Sequence, residues 1–148
     1  ESVNNYNNTR PEKTVLKILK NYNNNLKDKT FAILGLSFKP NTDDIRESTS
    51  MIIAKSLLSK GVKINAYDPQ AMDNAKIILP ELNYCNSVSV ACKEVDAIII
   101  ATEWNEFRAL NFKEIKKIIK SPIIFDLRNI YNKDELTNLD FKYYGIGK

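Results

Sequence analysis

The chain has 148 residues, 43% of them hydrophobic, which is the length of one domain with enough apolar material for a real core and excludes a disordered chain. Net charge is +4, but the first 29 residues alone hold six Lys and Arg against three Asp and Glu, and the remaining charges alternate in sign like solvated helix faces, which argues against a nucleic-acid groove. Cys85 and Cys92 lack a CxxC spacing and the chain has no His, so no zinc site is expected, and no apolar run reaches membrane-spanning length.

Reduced, buried thiols in a cytoplasmic protein are the expectation for the two cysteines. The chain begins with Glu rather than Met and has no basic-then-apolar signal segment at its start, which fits a piece of a longer protein. Eight of the first 25 residues are Asn. They flank a helical stretch from Pro11 to about Tyr22, in which Val15, Ile18, Leu19 and Tyr22 recur at steps of three and four. Pro11 suits a first helical turn, where its missing N–H costs nothing. Residues 1–25 therefore read as a linker and an amphipathic helix whose stripe packs on the same domain or, less commonly, on a missing neighbour.

From Lys29 onward, short apolar runs alternate with helical windows. Residues 30–36, 62–68, 96–102 and 123–128 are predicted strands, rich in Ile, Val, Phe and Tyr. AILGL and AIIII are apolar at consecutive positions, as expected of strands covered on both faces of a parallel sheet. Residues 48–60 and 112–120 carry helical spacing, and Gly61 stands where a left-handed residue would end the first of these helices. The pattern predicts an α/β fold: a three-layer α/β/α sandwich around a mainly parallel, Rossmann-like sheet, preceded by an N-terminal helix.

In such a sheet, ligands collect at the carboxyl ends of the strands. The loop after the first strand opens GLSFKPNTDDIREST (residues 35–49), with one of the three glycines of a dinucleotide turn. It offers Lys39 and Arg46 as phosphate partners, although a lone loop Lys is usually only solvated. Asp43, Asp44 and Glu47 could serve a metal or acid-base chemistry, but capping of the following helix by Asp43, Asp44 or Ser48 is the preferred reading. Two further stretches end at the same edge, TEWNEFR (residues 102–108) and DLRN (residues 126–129). Trp104 and Phe107 read as packing aromatics. Arg128, closing a buried strand, needs an acid such as Asp126 or the phosphates of a ligand.

GLSFKPNTDDIREST, then VKINAYDP, ATEWNEFR and FDLRNIY, in that order and at these intervals, resemble the C-terminal, UDP-binding domain of the UDP-glucose 6-dehydrogenases, within the wider UDP-glucose/GDP-mannose dehydrogenase family. The resemblance runs from about Leu26 to the final YYGIGK, and makes residues 26–148 the UDP-sugar-binding domain and 1–25 the interdomain segment. It implies NAD-dependent oxidation of UDP-glucose at its C6 alcohol through a cysteine-bound intermediate. It also implies that NAD is bound mainly by an absent N-terminal domain and that an absent central region supplies the nucleophilic Cys and a homodimer contact. Cys85 and Cys92 do not match that nucleophile, so no catalytic residue and no metal are expected here. By the family pattern Phe38, Lys39 and Arg128 bind the UDP-sugar, and Arg46 reaches the NAD pyrophosphate. The family often has Gly where this chain has Leu127. A domain acting on an N-acetylated UDP-sugar or GDP-mannose, and a stand-alone nucleotide-sugar-binding module, are the alternative readings. A flavodoxin-like or receiver-like domain does not account for the four motifs together.

Overall fold

A computed structural model describes residues 2–146, with side chains from Pro11 onward. The elements run α1 (Ser2–Lys20), β1 (Thr30–Leu34), α2 (Thr49–Ser59), β2 (Lys63–Tyr67), α3 (Met72–Ile78), β3 (Asn83–Tyr84), α4 (Val88–Cys92), β4 (Ala97–Ile100), α5 (Asn105–Arg108), α6 (Phe112–Ile118), β5 (Ile123–Asp126), α7 (Lys133–Asn138) and β6 (Lys142–Gly145). All neighbouring strands pair in parallel, in the order β3-β2-β1-β4-β5-β6.

The consecutive apolar residues of the central strands follow from this arrangement. Phe31 and Ile33 of β1 and Ala97 and Ile99 of β4 face one core, shared with α1, α2 and α3. Ala32, Leu34, Ile98 and Ile100 alternate to the other face and join residues of α4, α6 and α7. A period of two with both phases apolar is what a sheet covered on both sides requires. The three-layer α/β/α expectation is met, with one strand added at each edge of the predicted sheet. Val15 and Ile18 of α1 are buried in the first core, so the amphipathic helix packs on this domain. Pro11 lies inside α1 rather than in its first turn, because the helix begins at Ser2. Gly61 adopts φ +88° directly after α2, where the sequence placed a left-handed residue.

Parallel strands send all their C-terminal ends to one edge. Beyond β1 the chain crosses to β2 on one side, while β4 continues the sheet on the other. The loops after β1 and β4 therefore diverge from adjacent strands, which is the switch point where open α/β sheets take ligands.

Candidate functional site

Gly35 opens the loop after β1 with φ +104°, a conformation that L side chains rarely adopt. It needs that freedom and also the missing side chain, since a Cβ there would lie 2.5 Å from both Cβ and Oγ1 of Thr102. The two switch-point loops thus touch through a glycine. Thr102 Oγ1 then donates to the Ser37 carbonyl at 2.9 Å, fixing the next turn of the β1 loop.

The centre of this edge is Asp68, which follows β2 and is fully buried. Its Oδ2 accepts from the backbone N–H of Leu36 at 2.7 Å and of Ser37 at 3.1 Å, from Ser37 Oγ at 3.3 Å and from Trp104 Nε1 at 3.3 Å. Oδ1 accepts from Gln70 and Ala71 N–H, both at 2.8 Å. One carboxylate therefore joins the loops after β1, β2 and β4. Trp104, buried in the second core, is a packing residue whose indole N–H finds this partner. Asp126 does similar work after β5. It accepts from the N–H groups of Arg128, Ile130 and Tyr131 and from the Tyr143 hydroxyl.

Upon this frame the predicted binding residues lie in two places. Phe38 is 40% exposed, its N–H donates to the Asp44 carbonyl at 3.0 Å, and Lys39 Nζ stands 5.3 Å from the centroid of its ring. Arg128 is across the switch point, and its Nη2 donates to Glu103 Oε2 at 2.9 Å. The acid that holds the guanidinium is thus Glu103, not Asp126, because Asp126 is already committed to backbone N–H groups. Although partial burial works against it, the hydrogen bond from Arg128 holds the Glu103 carboxyl below the ordinary glutamate range. Leu127 needs no glycine; the left-handed residue of this loop is Asn129, at φ 54°.

Arg46 is farther out, 88% exposed, and forks onto Asp44 through Nε at 3.0 Å and Nη2 at 2.8 Å. The expected capping by the acids does not occur. Asp44 accepts from Arg46 instead, and Asp43 presents its carbonyl to Asn74 Nδ2 at 2.9 Å. Ser48 holds the N-cap position of α2, but its hydroxyl donates to the Leu36 carbonyl at 2.7 Å, as that of Ser50 does to Gly35 at 2.6 Å. The hydroxyls serve the loop's carbonyls, whose partners a turn this tight cannot supply from its own backbone. No group of three His, Cys, Asp or Glu side chains that could hold a metal occurs among the described residues.

The side-chain and backbone hydrogen bonds from Arg46 draw the Asp44 carboxyl down to about 2. A folded value below the ordinary one means the interaction is present above the usual aspartate range and is lost as pH falls towards about 2; solvent screening leaves it little weight in stability. Carbon-detected NMR is expected to place the Asp44 midpoint near 2, and Arg46→Ala to return it towards the ordinary aspartate value. A midpoint indifferent to that substitution would show that the fork does not form in solution.

Cys85 and Cys92 are free and buried. Burial raises both thiols, Cys92 to about 12, the reverse of what a nucleophile needs. Sequence reasoning missed Asp68, Glu103 and Gly35 as site residues. Asp68 had the same signal that singled out Arg128, a charge at the end of a buried strand, whereas nothing local in TEWNEFR marks Glu103.

The family described as UDP-glucose/GDP-mannose dehydrogenase, UDP binding domain, matches residues 32–133. A UDP-glucose 6-dehydrogenase of Rickettsia conorii is 46% identical over 143 residues, covering 95% of this chain and 33% of that protein. One of Rhizobium meliloti is 41% identical, covering 89% of this chain and 30% of that protein. A solved UDP-glucose dehydrogenase from Pyrobaculum islandicum superposes with a TM-score of 0.77 at 28% identity, over 94% of this chain and 30% of that one. The chain thus spans about a third of the length of these relatives. With its parallel sheet, its switch-point loops and a match over most of its length, this chain belongs to the UDP-glucose/GDP-mannose dehydrogenase family, of which it is the UDP binding domain.

Proposed function

We propose that this chain binds UDP-glucose as the substrate-nucleotide part of an NAD-dependent UDP-glucose 6-dehydrogenase, which oxidises the C6 alcohol to the uronic acid. Residues 1–25 are then the segment leading from the other domains, and 26–148 the binding domain. The observation that carries the reading is the pairing of the three predicted cations. Arg46 is paired with Asp44 and Arg128 with Glu103, whereas Lys39 forms no ion pair among the described residues. An ammonium with no direct ion-pair partner, felt by Asp44 only through space, on a braced loop at the edge where such sheets take ligands, suits a diphosphate. The names of the relatives at 41–46% identity favour UDP-glucose over other nucleotide sugars.

The chain fits NAD only as a contributor. GLSFKP does not make a dinucleotide cradle, and Arg46, exposed on the far part of the loop, is the group available to a pyrophosphate once it leaves Asp44. NAD, held mainly by the rest of the protein, would supply the hydride acceptor. The thiols present here are buried, so the covalent intermediate depends on a cysteine outside this chain, and the chain alone is inactive. Free thiols suit a cytoplasmic protein, and the full-length enzyme works as a homodimer.

Lys39→Ala is expected to weaken UDP-glucose binding by about 1.5 to 3 kcal/mol, typical of a hydrogen bond to a charged group, with the melting temperature unchanged. Calorimetric titration of both proteins measures this. Equal affinities would remove Lys39 from the site and the reading with it.

A further inference from the structure

Helices that join parallel strands run back to the opposite edge of the sheet, where the strands begin. One corner of that edge is assembled from separate stretches of sequence. The turn leading into β1 lies against the end of α2. Asp28 N–H donates to the Gly61 carbonyl at 3.3 Å, Lys63 N–H donates to the Lys29 carbonyl at 2.8 Å, and a Cβ on Gly61 would stand 3.5 Å from Lys27 Cα. Lys27, Lys29, Lys60 and Lys63 are thereby brought together, and α1 ends beside them with Lys17 and Lys20 in its last turn. None of these lysines forms an ion pair among the described residues, and Asp28 is the only acid in residues 17–29 and 60–63. Asp96, just before the neighbouring β4, is buried and taken up by Thr30 N–H and Lys120. A helix C-terminus favours a cation, which accounts for Lys17, Lys20 and Lys60. It does not account for Lys27, Lys29 and Lys63, which stand outside the helices. Next along the same edge α3 ends with Ile77 and Ile78, which are 82% and 61% exposed.

We infer that this edge docks on an anionic lipid surface, the lysine corner meeting the headgroups and Ile77 and Ile78 entering the acyl boundary. The inference does not depend on nucleotide-sugar binding, which uses the opposite edge. Composition decides the partner. Protein interfaces are depleted in Lys, and here Lys dominates. Nucleic-acid surfaces favour the guanidinium fork of Arg and aromatic platforms for bases. Residues 17–29 and 60–63 hold no Arg, and their one aromatic, Tyr22, is packed against Phe31 and Phe125. The Lys ammonium is a hydrated point charge, suited to the diffuse negative potential of an anionic leaflet. Exposed aliphatic side chains beside a polybasic patch supply the second signal that reversible membrane attachment needs. Held by this edge, the protein keeps the loops after β1 and β4 facing away from the lipid, open to a ligand from solution.

The test is co-sedimentation with vesicles of phosphatidylglycerol and phosphatidylcholine in equal parts, with pure phosphatidylcholine as the neutral control. The wild type is expected to sediment with the anionic vesicles at about 0.1 M salt, to be largely released at about 1 M, and to stay in solution with the neutral ones. The double variant Lys27→Glu with Lys63→Glu is expected to lose at least about tenfold in partitioning, with its affinity for UDP-glucose unchanged. Ile77→Ser with Ile78→Ser is expected to lose about tenfold as well, without altering any charge. Lys113→Glu with Lys133→Glu makes the same charge change in the first turns of α6 and α7, at the other edge, and should cost less than about threefold. A wild type that stays in solution with anionic vesicles at low salt would overturn the inference, as would equal losses in the two lysine pairs. Stronger binding to RNA or to polyglutamate than to the vesicles would also overturn it and assign the corner to that partner.

Discussion

Asp68→Ala is expected to lower the stability of the domain by about 3 to 5 kcal/mol, the range for removing one partner from a buried charged network. The carboxylate is fully buried and meets six donors from three loops. Removing it leaves buried N–H groups of Leu36, Ser37 and Ala71 without an acceptor, and each costs about 1 to 3 kcal/mol when no water reaches it. Asp68→Asn should be nearly as damaging, because its amide N–H groups would face other donors. Urea unfolding measures both. A shift in midpoint worth less than about 1 kcal/mol would mean that the loops are held by something else. The loss is also expected to reach function, since the N–H groups released belong to the residues just before Phe38 and Lys39.

Gly35→Ala carries the other large effect, about 2 to 6 kcal/mol, from two sources that add. The backbone at φ +104° is costly for any L side chain, about 1 to 3 kcal/mol, and the methyl would press on Thr102 in a packed interior, which costs a similar amount. Relief by removing the obstacle separates the two. Thr102→Ser removes the methyl but leaves Cβ and Oγ1, both at 2.5 Å from the new carbon, so it should rescue little, whereas Thr102→Gly should recover part of the loss. Full stability of Gly35→Ala in chemical unfolding would contradict the close approach of the β1 and β4 loops.

β1 and β4 were legible because burial on both faces forces apolar residues at consecutive positions, β2 and β5 because their short runs hold Ile, Ala, Phe and Tyr although β2 alternates in burial, and α2 because its stripe spans three turns. The edges were not. β3 has two residues, and β6 reads KYYG with no buried position, so neither leaves a hydrophobic pattern. The short helices α4, α5 and α7, each of six residues or fewer, have too few turns to show a period, and α3 buries only Ala75 while exposing Ile77 and Ile78, so it has no apolar stripe to read. In the site, charge at strand ends pointed to Lys39 and Arg128, but pairing is a tertiary property. The acid nearest Arg128 in sequence, Asp126, is taken up by backbone N–H groups and the Tyr143 hydroxyl, and the partner, Glu103, comes from the loop after β4. The capping expectation failed for a local reason, because Asp44 found a better partner in Arg46 two residues away.

The most direct test of the central claim is titration of the isotope-labelled protein with UDP-glucose, with GDP as the control, following backbone amide shifts. Shifts at Phe38, Lys39 and Arg128 with UDP-glucose and not with GDP are the result expected of a uridine nucleotide-sugar site at the switch point. Saturating UDP-glucose that leaves those three amides unmoved would contradict it.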